Sequence, residues 1–268
     1  MRETTARQWL TVLLCTASFA ASGLAQAPPH SMLEGEAALT IAGAHVWRGE
    51  IVSVEPVFQP SALLDFDPWS FTLWGSWELE HSEAYSQRSR FHATLDHLHE
   101  SGEHIFRSGL TAFLYQNSFR HSLKNTVELF LGYTLDRALL PTLIAHYDIG
   151  HFNGLYVAGS ASHRFELIPD AMALDIRANV GWGDRAYARD KFSLPRYTRE
   201  RPEYEPSGAA FLDLTLRAEA PLRFSDRFKV VPGISFMRLL DTEIRNALRD
   251  SGLDADKTSG SLTLLLTF

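Results

Sequence analysis

The sequence contains a single cysteine, Cys15, among its 268 residues. If Cys15 is removed with the N-terminal segment described below, disulfides and thiol catalysis are both excluded. No later segment approaches the run of about 18 apolar residues that predicts a transmembrane helix. Basic residues are not in excess either. The formal net charge is −7, which argues against nucleic acid as a partner because such proteins carry a basic footprint.

The first 25 residues have the pattern of a secretory signal peptide. Arg2 and Arg7 precede an apolar run from Trp9 to Ala20, and Gly23-Leu24-Ala25 places small side chains before a cleavage point at Gln26. Cleavage after Ala27 is the alternative, but Pro28 would then directly follow the cleavage point, which is unfavourable. The apolar run is shorter than the roughly 20 residues that span a bilayer. We therefore expect cleavage rather than an uncleaved anchor.

The rest of the chain is a series of about ten-residue segments in which apolar and polar residues alternate. In one of the clearest, Val127, Leu129 and Leu131 alternate with Glu128 and Gly132. A period of two predicts a strand whose two faces have different environments. Twelve such segments can be distinguished. They are 37–48, 57–66, 71–80, 88–98, 105–115, 125–136, 142–149, 155–167, 172–183, 210–220, 228–238 and a last one from about 258.

The links between these segments alternate in length. Six odd-numbered links are mostly long, and the even-numbered ones are mostly tight turns such as 67–70 and 168–171. Outer-membrane barrels have an even number of antiparallel strands, long extracellular loops and short periplasmic turns. We therefore predict an all-β fold: an antiparallel transmembrane β-barrel of about twelve strands over residues 37–268, after a short periplasmic segment at 26–36. A water-soluble β-sandwich, which also alternates, is the alternative.

The last seven residues, Leu-Thr-Leu-Leu-Leu-Thr-Phe, alternate back from Phe268. This tail resembles the final strand of bacterial outer-membrane barrels. The resemblance implies an exported chain in the outer membrane, in contact with its lipid, whose C-terminal strand is recognised by the barrel assembly machinery.

Three segments near the start resemble a family. Val46-Trp47-Arg48-Gly49, the stretch 55–61 and Phe71-Thr72-Leu73-Trp74-Gly75-Ser76-Trp77 are similar to the opening of exported porins of the TorF type, and Leu248-Arg249-Asp250 is also similar. The resemblance implies a porin-like barrel. It implies no particular solute, because none is established for the family.

One alternation face carries charges of both signs, and such charges on a lipid-facing side would cost about 2–4 kcal/mol each at the midplane. We therefore expect this face to line a hydrophilic lumen. The predicted pore-lining residues are Glu78, Arg90, Glu128, Arg164, Arg177, Asp213 and Arg217. The other inward charges are Asp65, Glu80, Asp96, Arg107, Asp136, Asp148, Glu166, Asp175, Glu219 and Lys229.

These charges predict a monomeric or weakly oligomeric channel for passive diffusion of small hydrophilic solutes or ions. The acidic residues outnumber the basic ones by eleven to six, which predicts a weak cation preference. Barrels of about 8 strands are filled by side chains, whereas 16–18 strands leave an open pore. A twelve-stranded lumen closed by ion pairs, in a barrel that anchors or scaffolds envelope partners, is therefore the alternative.

The longest link, 184–209, carries many charges and several tyrosines. We predict a constriction loop folded over the mouth, formed by Tyr187, Arg196, Tyr197 and Tyr204; a solvated surface loop is the alternative. In the link 241–256, Ile244 and Leu248 lie four residues apart, which favours a short helix.

No pattern in the sequence predicts a catalytic, cofactor or metal site. Its histidines lack the spacing of a metal-binding helix. A lipid hydrolase of the outer membrane is the less favoured function, since Ser160, Ser162 with His163, and Ser118 with His121 lie in no recognisable motif. Ser162 and His163 are adjacent on a strand and point to opposite faces, so they cannot pair directly.

Overall fold

The computed structural model describes residues 34–80, 89–116, 124–193 and 204–268. The predicted signal peptide, Arg196, Tyr197, Ser118 and His121 lie outside these residues. The described elements are β1 (Glu34–Ala42), β2 (His45–Trp47), β3 (Glu50–Ser53), β4 (Val57–Phe66), β5 (Trp69–Glu78), β6 (Ser89–Ser101), β7 (His104–Gln116), β8 (Thr126–Leu135), β9 (Thr142–Asp148), β10 (Leu155–Ile168), β11 (Met172–Gly183), α1 (Arg185–Phe192), β12 (Ala210–Glu219), β13 (Leu222–Arg223), β14 (Phe228–Leu239), α2 (Thr242–Asp250) and β15 (Asp256–Thr267).

Twelve of these strands close into an antiparallel barrel. Each of β4 to β12 pairs with its sequence neighbour, β12 pairs with β14 and β14 with β15. β1 closes the ring because it pairs with β15 on one side and β4 on the other, as in the pairs Leu39↔Leu264 and Leu39↔Pro60. A closed ring has no edge strand, which rules out the β-sandwich and confirms the predicted twelve-stranded barrel.

The alternation of the sequence corresponds to the two sides of the barrel wall. On β8, Leu129 and Leu131 are 47% and 65% exposed, whereas Phe130 between them is 4% exposed. The exposed large side chains of the other strands are also mostly Leu, Ile and Phe. An exterior of this composition is the apolar band that outer-membrane barrels present to lipid.

The two ends of the barrel differ. At one end the strands are joined by tight turns such as 67–68 and 169–171, and β1 begins and β15 ends there. We call this the turn end and the other the loop end. Phe66, Phe106 and Phe165 are exposed near the turn end, and Phe91 and Phe211 near the loop end. Two aromatic bands of this kind suit the headgroup level on either side of a bilayer.

The first link differs from the expectation. The predicted strand 37–48 is interrupted: β1 ends at Ala42, and residues 45–53 form a separate hairpin of β2 and β3. Its two-residue turn, Arg48-Gly49, has positive φ at both positions, 48° and 81°. This is the backbone of a type I′ turn, whose twist matches that of the flanking strands. We call residues 45–53 the plug hairpin.

Two short helices lie in the loop-end links. α1 is capped by Asp184, whose side chain accepts a hydrogen bond from the Tyr187 backbone N–H. α2 is capped in the same way by Asp241, which accepts from Ile244. Ile244 and Leu248 are both buried on one face of α2, which confirms the helix predicted from their spacing. Within the described ranges no helix is long and apolar enough to cross a membrane.

Candidate functional site

The plug hairpin lies inside the barrel, in the loop-end half of the lumen. Its tip residue Arg48 donates a hydrogen bond through Nη1 to Glu128 Oε2 on β8, at 2.8 Å. The same guanidinium lies over the ring of Tyr156 on β10, 5.1 Å from its centroid. The tip is therefore held on one side of the lumen by a charge and by an aromatic face.

A second ion pair holds the hairpin to another strand of the wall. Arg90 on β6 donates to Glu50 Oε2 at 3.1 Å, and the two side chains are only 2% and 1% exposed. Charges removed from water to this degree are tolerated only when they are paired and hydrogen-bonded. The two ion pairs thus fix the position of the hairpin across the lumen.

Aromatic packing fills the space between the hairpin and strands β5 to β7. The ring of Trp47 lies 6.5 Å from Trp74, 4.9 Å from His92 and 6.1 Å from Phe113, measured between centroids. We call these four residues the aromatic cluster. All of them are buried, so this side of the lumen is closed to solvent.

His45 lies at the start of the hairpin. Its Nδ1 is 3.3 Å from Ser76 Oγ on β5, and its ring lies 5.3 Å from that of Trp74. Burial, reinforced by the nearby Arg90 and opposed by Glu50, lowers the pKa of His45 from 6.5 to about 3. The imidazole is therefore neutral at physiological pH.

The loop end is covered by an apolar cluster that joins the hairpin to both helices. Ile51 of the hairpin packs in it with Tyr187 of α1 and Ile244 of α2. Burial of Tyr187 and Tyr156, whose ring centroids are 5.0 Å apart, is nearly complete. The other buried members are Ala158, Ala188, Phe192, Leu212, Met237, Leu239, Leu248, Leu253 and Ala255. The lumen is therefore closed at the loop end by the hairpin and the helices together.

A cavity of about 110 Å³ lies beside the hairpin within the barrel. Since one buried water needs at least about 10–15 Å³ of such space, the cavity has room for several. It is lined by Ala42, Ala44, His45, Val46, Arg48, Gln59, Thr142, Ile144, His146, Tyr156, Ala158, Ser160, Arg177, Asn179, Asp213, Thr215, Arg217, Ser235, Met237, Ser259 and Ser261. Much of this lining is small and hydroxyl-bearing, in contrast to the aromatic cluster.

Further ion pairs lie between the cavity and the turn end. Arg107 pairs with Asp96 across β7 and β6. On the wall formed by β10 to β12, Arg164 Nη1 lies 3.8 Å from Asp175, and Arg217 Nη2 lies 2.6 Å from Glu219. The inward face of the barrel therefore carries charged residues of both signs, mostly within reach of a partner.

The seven predicted pore-lining residues occupy four places. Arg177, Asp213 and Arg217 line the cavity. Arg90 and Glu128 bind the plug hairpin, as described above. Arg164 lies nearer the turn end beside Glu166 and Asp175, and Glu78 is half-buried at the loop end of β5. A role in conduction for any of them remains a prediction.

The predicted constriction loop is described only in part. Tyr187 lies in α1 with its side chain buried against Tyr156, and Tyr204 is half-buried. The residues that close the mouth most directly belong instead to the plug hairpin. Sequence reasoning assigned residues 45–48 to a barrel strand and 49–53 to the link that follows it. The signal that could have located the hairpin is the pair Arg48-Gly49 between two short β-rich stretches.

The serine–histidine pair considered for hydrolysis is not assembled at Ser162. His163 is exposed on the outer surface beside Phe165, with ring centroids 4.5 Å apart. The neighbouring Ser162, paired with Arg177 of β11, has its side chain on the other face of the strand.

A closed antiparallel barrel of twelve strands, apolar outside and charged within, defines the class of outer-membrane β-barrels. No protein-family model matches the chain, and no curated protein matches its sequence. Among solved structures the chain is similar to LpxR from Salmonella typhimurium, with 9% identity over 87% of this chain and 100% of that one, at a TM-score of 0.52.

Two other solved structures are similar. The KdgM porin has 8% identity over 88% of this chain and 99% of that one, at a TM-score of 0.48. The COG4313 outer membrane channel from Pseudomonas putida F1 has 13% identity over 90% and 97%, at a TM-score of 0.45. Likeness at such identities concerns the fold. The resemblance to porins of the TorF type stays a prediction from the sequence.

Proposed function

We propose that the protein is a narrow porin-like channel of the outer membrane, of the kind predicted from its resemblance to TorF-type porins, and that it passes small hydrophilic solutes or ions. The observation that carries this proposal is the cavity inside a closed barrel, whose lining includes hydroxyl groups and arginines. A barrel that served only as an anchor would need no water-sized space lined by hydroxyl groups and arginines, since packed interiors leave few such voids.

In this proposal the plug hairpin is the gate, and the structure is the closed conformation. Both ion pairs of the hairpin, Arg48–Glu128 and Arg90–Glu50, join a link between strands to the barrel wall. The hairpin is continuous with the wall only through its two ends. It can therefore leave the lumen without any change in barrel pairing, which makes it a gating element rather than part of the scaffold.

The second candidate is a non-conducting barrel that scaffolds envelope partners. It is favoured by the same hairpin, because two buried ion pairs, the aromatic cluster and the apolar cluster all hold it in place. The two candidates differ in one respect. A channel must open on a measurable timescale, whereas a scaffold can function without opening.

Single-channel recording in a planar bilayer tests the proposal. We expect discrete, infrequent steps from the refolded protein, and a larger and steadier conductance when a flexible Gly-Ser segment replaces residues 45–53. The matched control replaces residues 81–88 in the same way and keeps the hairpin, so its recordings should equal those of the parent.

Silence from both the parent and the variant without the hairpin, in protein shown to be folded, would contradict the channel and favour the scaffold. Equal conductance in the two would show that the hairpin is not the gate. The predicted weak cation preference also belongs to this experiment, because a reversal potential in a salt gradient gives its sign. The charges around the cavity bear directly on that sign.

A further inference from the structure

The charges that line the cavity have a different balance from those of the inward face as a whole. Arg48, Arg177 and Arg217 border it, and Asp213 is the only carboxylate among the lining residues. Arg48 and Arg217 are paired with Glu128 and Glu219, but neither of these acids lines the cavity. Basic groups therefore outnumber acids among the lining residues. Fixed charges at a constriction select permeating ions by sign, so the local balance matters more than the total.

The single acid is already engaged by the wall. Asp213 Oδ1 accepts a hydrogen bond from the Tyr156 hydroxyl at 3.0 Å, and Oδ2 accepts one from Thr215 at 3.3 Å. Its side chain is fully buried. These two donors occupy both carboxylate oxygens, and Arg177 and Arg217 lie farther along β11 and β12 toward the turn end.

Arg177 and Arg217 are direct cross-strand partners on β11 and β12. Like charges placed opposite each other destabilise a sheet unless something compensates them. On the turn-end side the compensation comes from the next pair along, Asp175↔Glu219, and Arg217 contacts Glu219 at 2.6 Å. On the cavity side the next pair is Asn179↔Thr215. Both of these residues are neutral.

The cavity side also offers hydrogen-bond donors. Within the described part of the chain, the buried Nε of Arg48 has no hydrogen-bond partner, although its Nη1 binds Glu128. Ser235, Ser259 and Ser261 add hydroxyl groups to the same lining. Planar guanidinium groups bind pairs of oxygen atoms in carboxylates and phosphates through two parallel hydrogen bonds.

We infer that the cavity binds small oxyanions, carboxylates or phosphates, between Arg177 and Arg217, and that the channel passes anions in preference to cations. Binding follows from the cavity alone, whereas the preference in transport rests on the proposed function. This selectivity is opposite in sign to the one predicted from the count of all inward charges, because Asp213 is the only acid of that count among the lining residues.

Reversal potentials in gradients of potassium chloride and potassium acetate test the preference in transport. We expect the parent to reverse toward the anion potential. The variant without the hairpin keeps Arg177 and Arg217 and should do so more clearly. The double variant Arg177→Gln with Arg217→Gln should lose this preference several-fold. Arg137→Gln removes a guanidinium from an exposed pair in a turn outside the cavity and should behave as the parent.

Two further variants guard against misfolding of the double variant. Arg177→Gln alone leaves the Arg217–Glu219 pair intact and should show a smaller loss of the same sign. Arg177→Lys with Arg217→Lys keeps the positive charge and should keep the preference. A conducting parent that prefers cations, or a preference that is unchanged in folded Arg177→Gln and double variants, would overturn the inference while leaving the channel itself intact.

Anion binding can be tested without measuring conduction. The melting temperature of the folded protein in detergent is measured in sodium phosphate and sodium acetate against sodium chloride at equal ionic strength. A bound anion stabilises the folded state in proportion to its occupancy. We expect an upward shift in phosphate and acetate that Arg177→Gln reduces and Arg137→Gln does not.

The reversal potentials and the melting temperatures test two different claims, selective transport and anion binding. A silent barrel whose stabilisation by oxyanions depends on Arg177 would refute the channel and keep the anion site. Equal melting temperatures in the three salts would overturn the anion site whether or not the barrel conducts.

Discussion

Glu50 and Arg90 are a pair of charges with almost no contact with solvent, joined at 3.1 Å inside the barrel. Removing one member of a buried pair leaves the other charge buried without a partner, which typically costs about 3–5 kcal/mol. We therefore expect Glu50→Gln to weaken docking of the plug hairpin by about this amount.

Cys15 is the only cysteine in the sequence, so Ser53→Cys in protein lacking residues 1–25 gives a single reporter. Ser53 is 1% exposed, and its labelling by a maleimide should accelerate in the Glu50→Gln background.

The matched control for this experiment is Glu103→Gln. Glu103 pairs with Arg137 at 2.8 Å, but both side chains are more than half exposed. Exposed pairs of this kind contribute about 0–1 kcal/mol, so labelling of Ser53→Cys should match the parent. Labelling that is equally slow in the Glu50→Gln background would mean that the buried pair does not hold the hairpin.

His45 gives the docking of the hairpin a pH dependence. Burial and then Arg90 lower its pKa from 6.5 to about 3. A docked His45 therefore stays neutral while an undocked one takes up a proton below pH 6.5, so the undocked state binds more protons. The stabilisation of docking by His45 is complete above pH 6.5 and is lost progressively as the pH falls toward 3.

Labelling of Ser53→Cys at a series of pH values measures this effect. The rate is divided at each pH by that of the same reporter in a His45→Asn background, which cancels the pH dependence of the labelling chemistry. Asn can still hydrogen-bond Ser76 but cannot be protonated. We expect the ratio to rise as the pH is lowered below 6.5, and a constant ratio would exclude His45 as the titrating group.

At the scale of the elements, the barrel strands could be predicted because each is long, alternating and paired with its neighbour in sequence. Strands β4 and β11 have the predicted bounds, 57–66 and 172–183. A residue on such a strand has one face toward lipid and one toward the lumen, and period-two alternation reports that difference directly. The inward orientation of Asp213 and Arg217 follows from the same pattern, although their pairing partners do not.

The plug hairpin could not be located in the same way. Its residues Val46 and Trp47 suit a strand, but the pattern gives no information on whether a strand lies in the wall or inside the ring. The residues that hold it, Arg90 and Glu128, are 40 and 80 positions away from their partners. Length directed the search for a constriction to residues 184–209, whereas the hairpin that closes the lumen lies in a shorter link.

At the scale of the whole molecule, the lumen has two unlike sides. The hairpin packs against β5 to β7 through the aromatic cluster, and small residues such as Ser259 and Ser261 line the cavity on the side of β14, β15 and β1. Twelve strands enclose more space than side chains alone fill, given that about eight strands are filled completely. The hairpin fills the extra space on the side of β5 to β7. The remaining space therefore forms the cavity beside the wall that carries Arg177 and Arg217.

The exterior of the barrel gives the last prediction. Leu131 lies at the middle of the outward face of β8 and is 65% exposed, and Leu139 in the following turn is 56% exposed. A positive charge on the lipid face costs about 2–4 kcal/mol at the bilayer midplane and about 0–1 kcal/mol near the interface. Leu131→Arg should therefore lower the free energy of unfolding in phospholipid vesicles by the larger amount, and Leu139→Arg by the smaller. Denaturant titration of both variants measures the difference, and equal values would mean that β8 does not face lipid, because water solvates an exposed arginine equally well at either position.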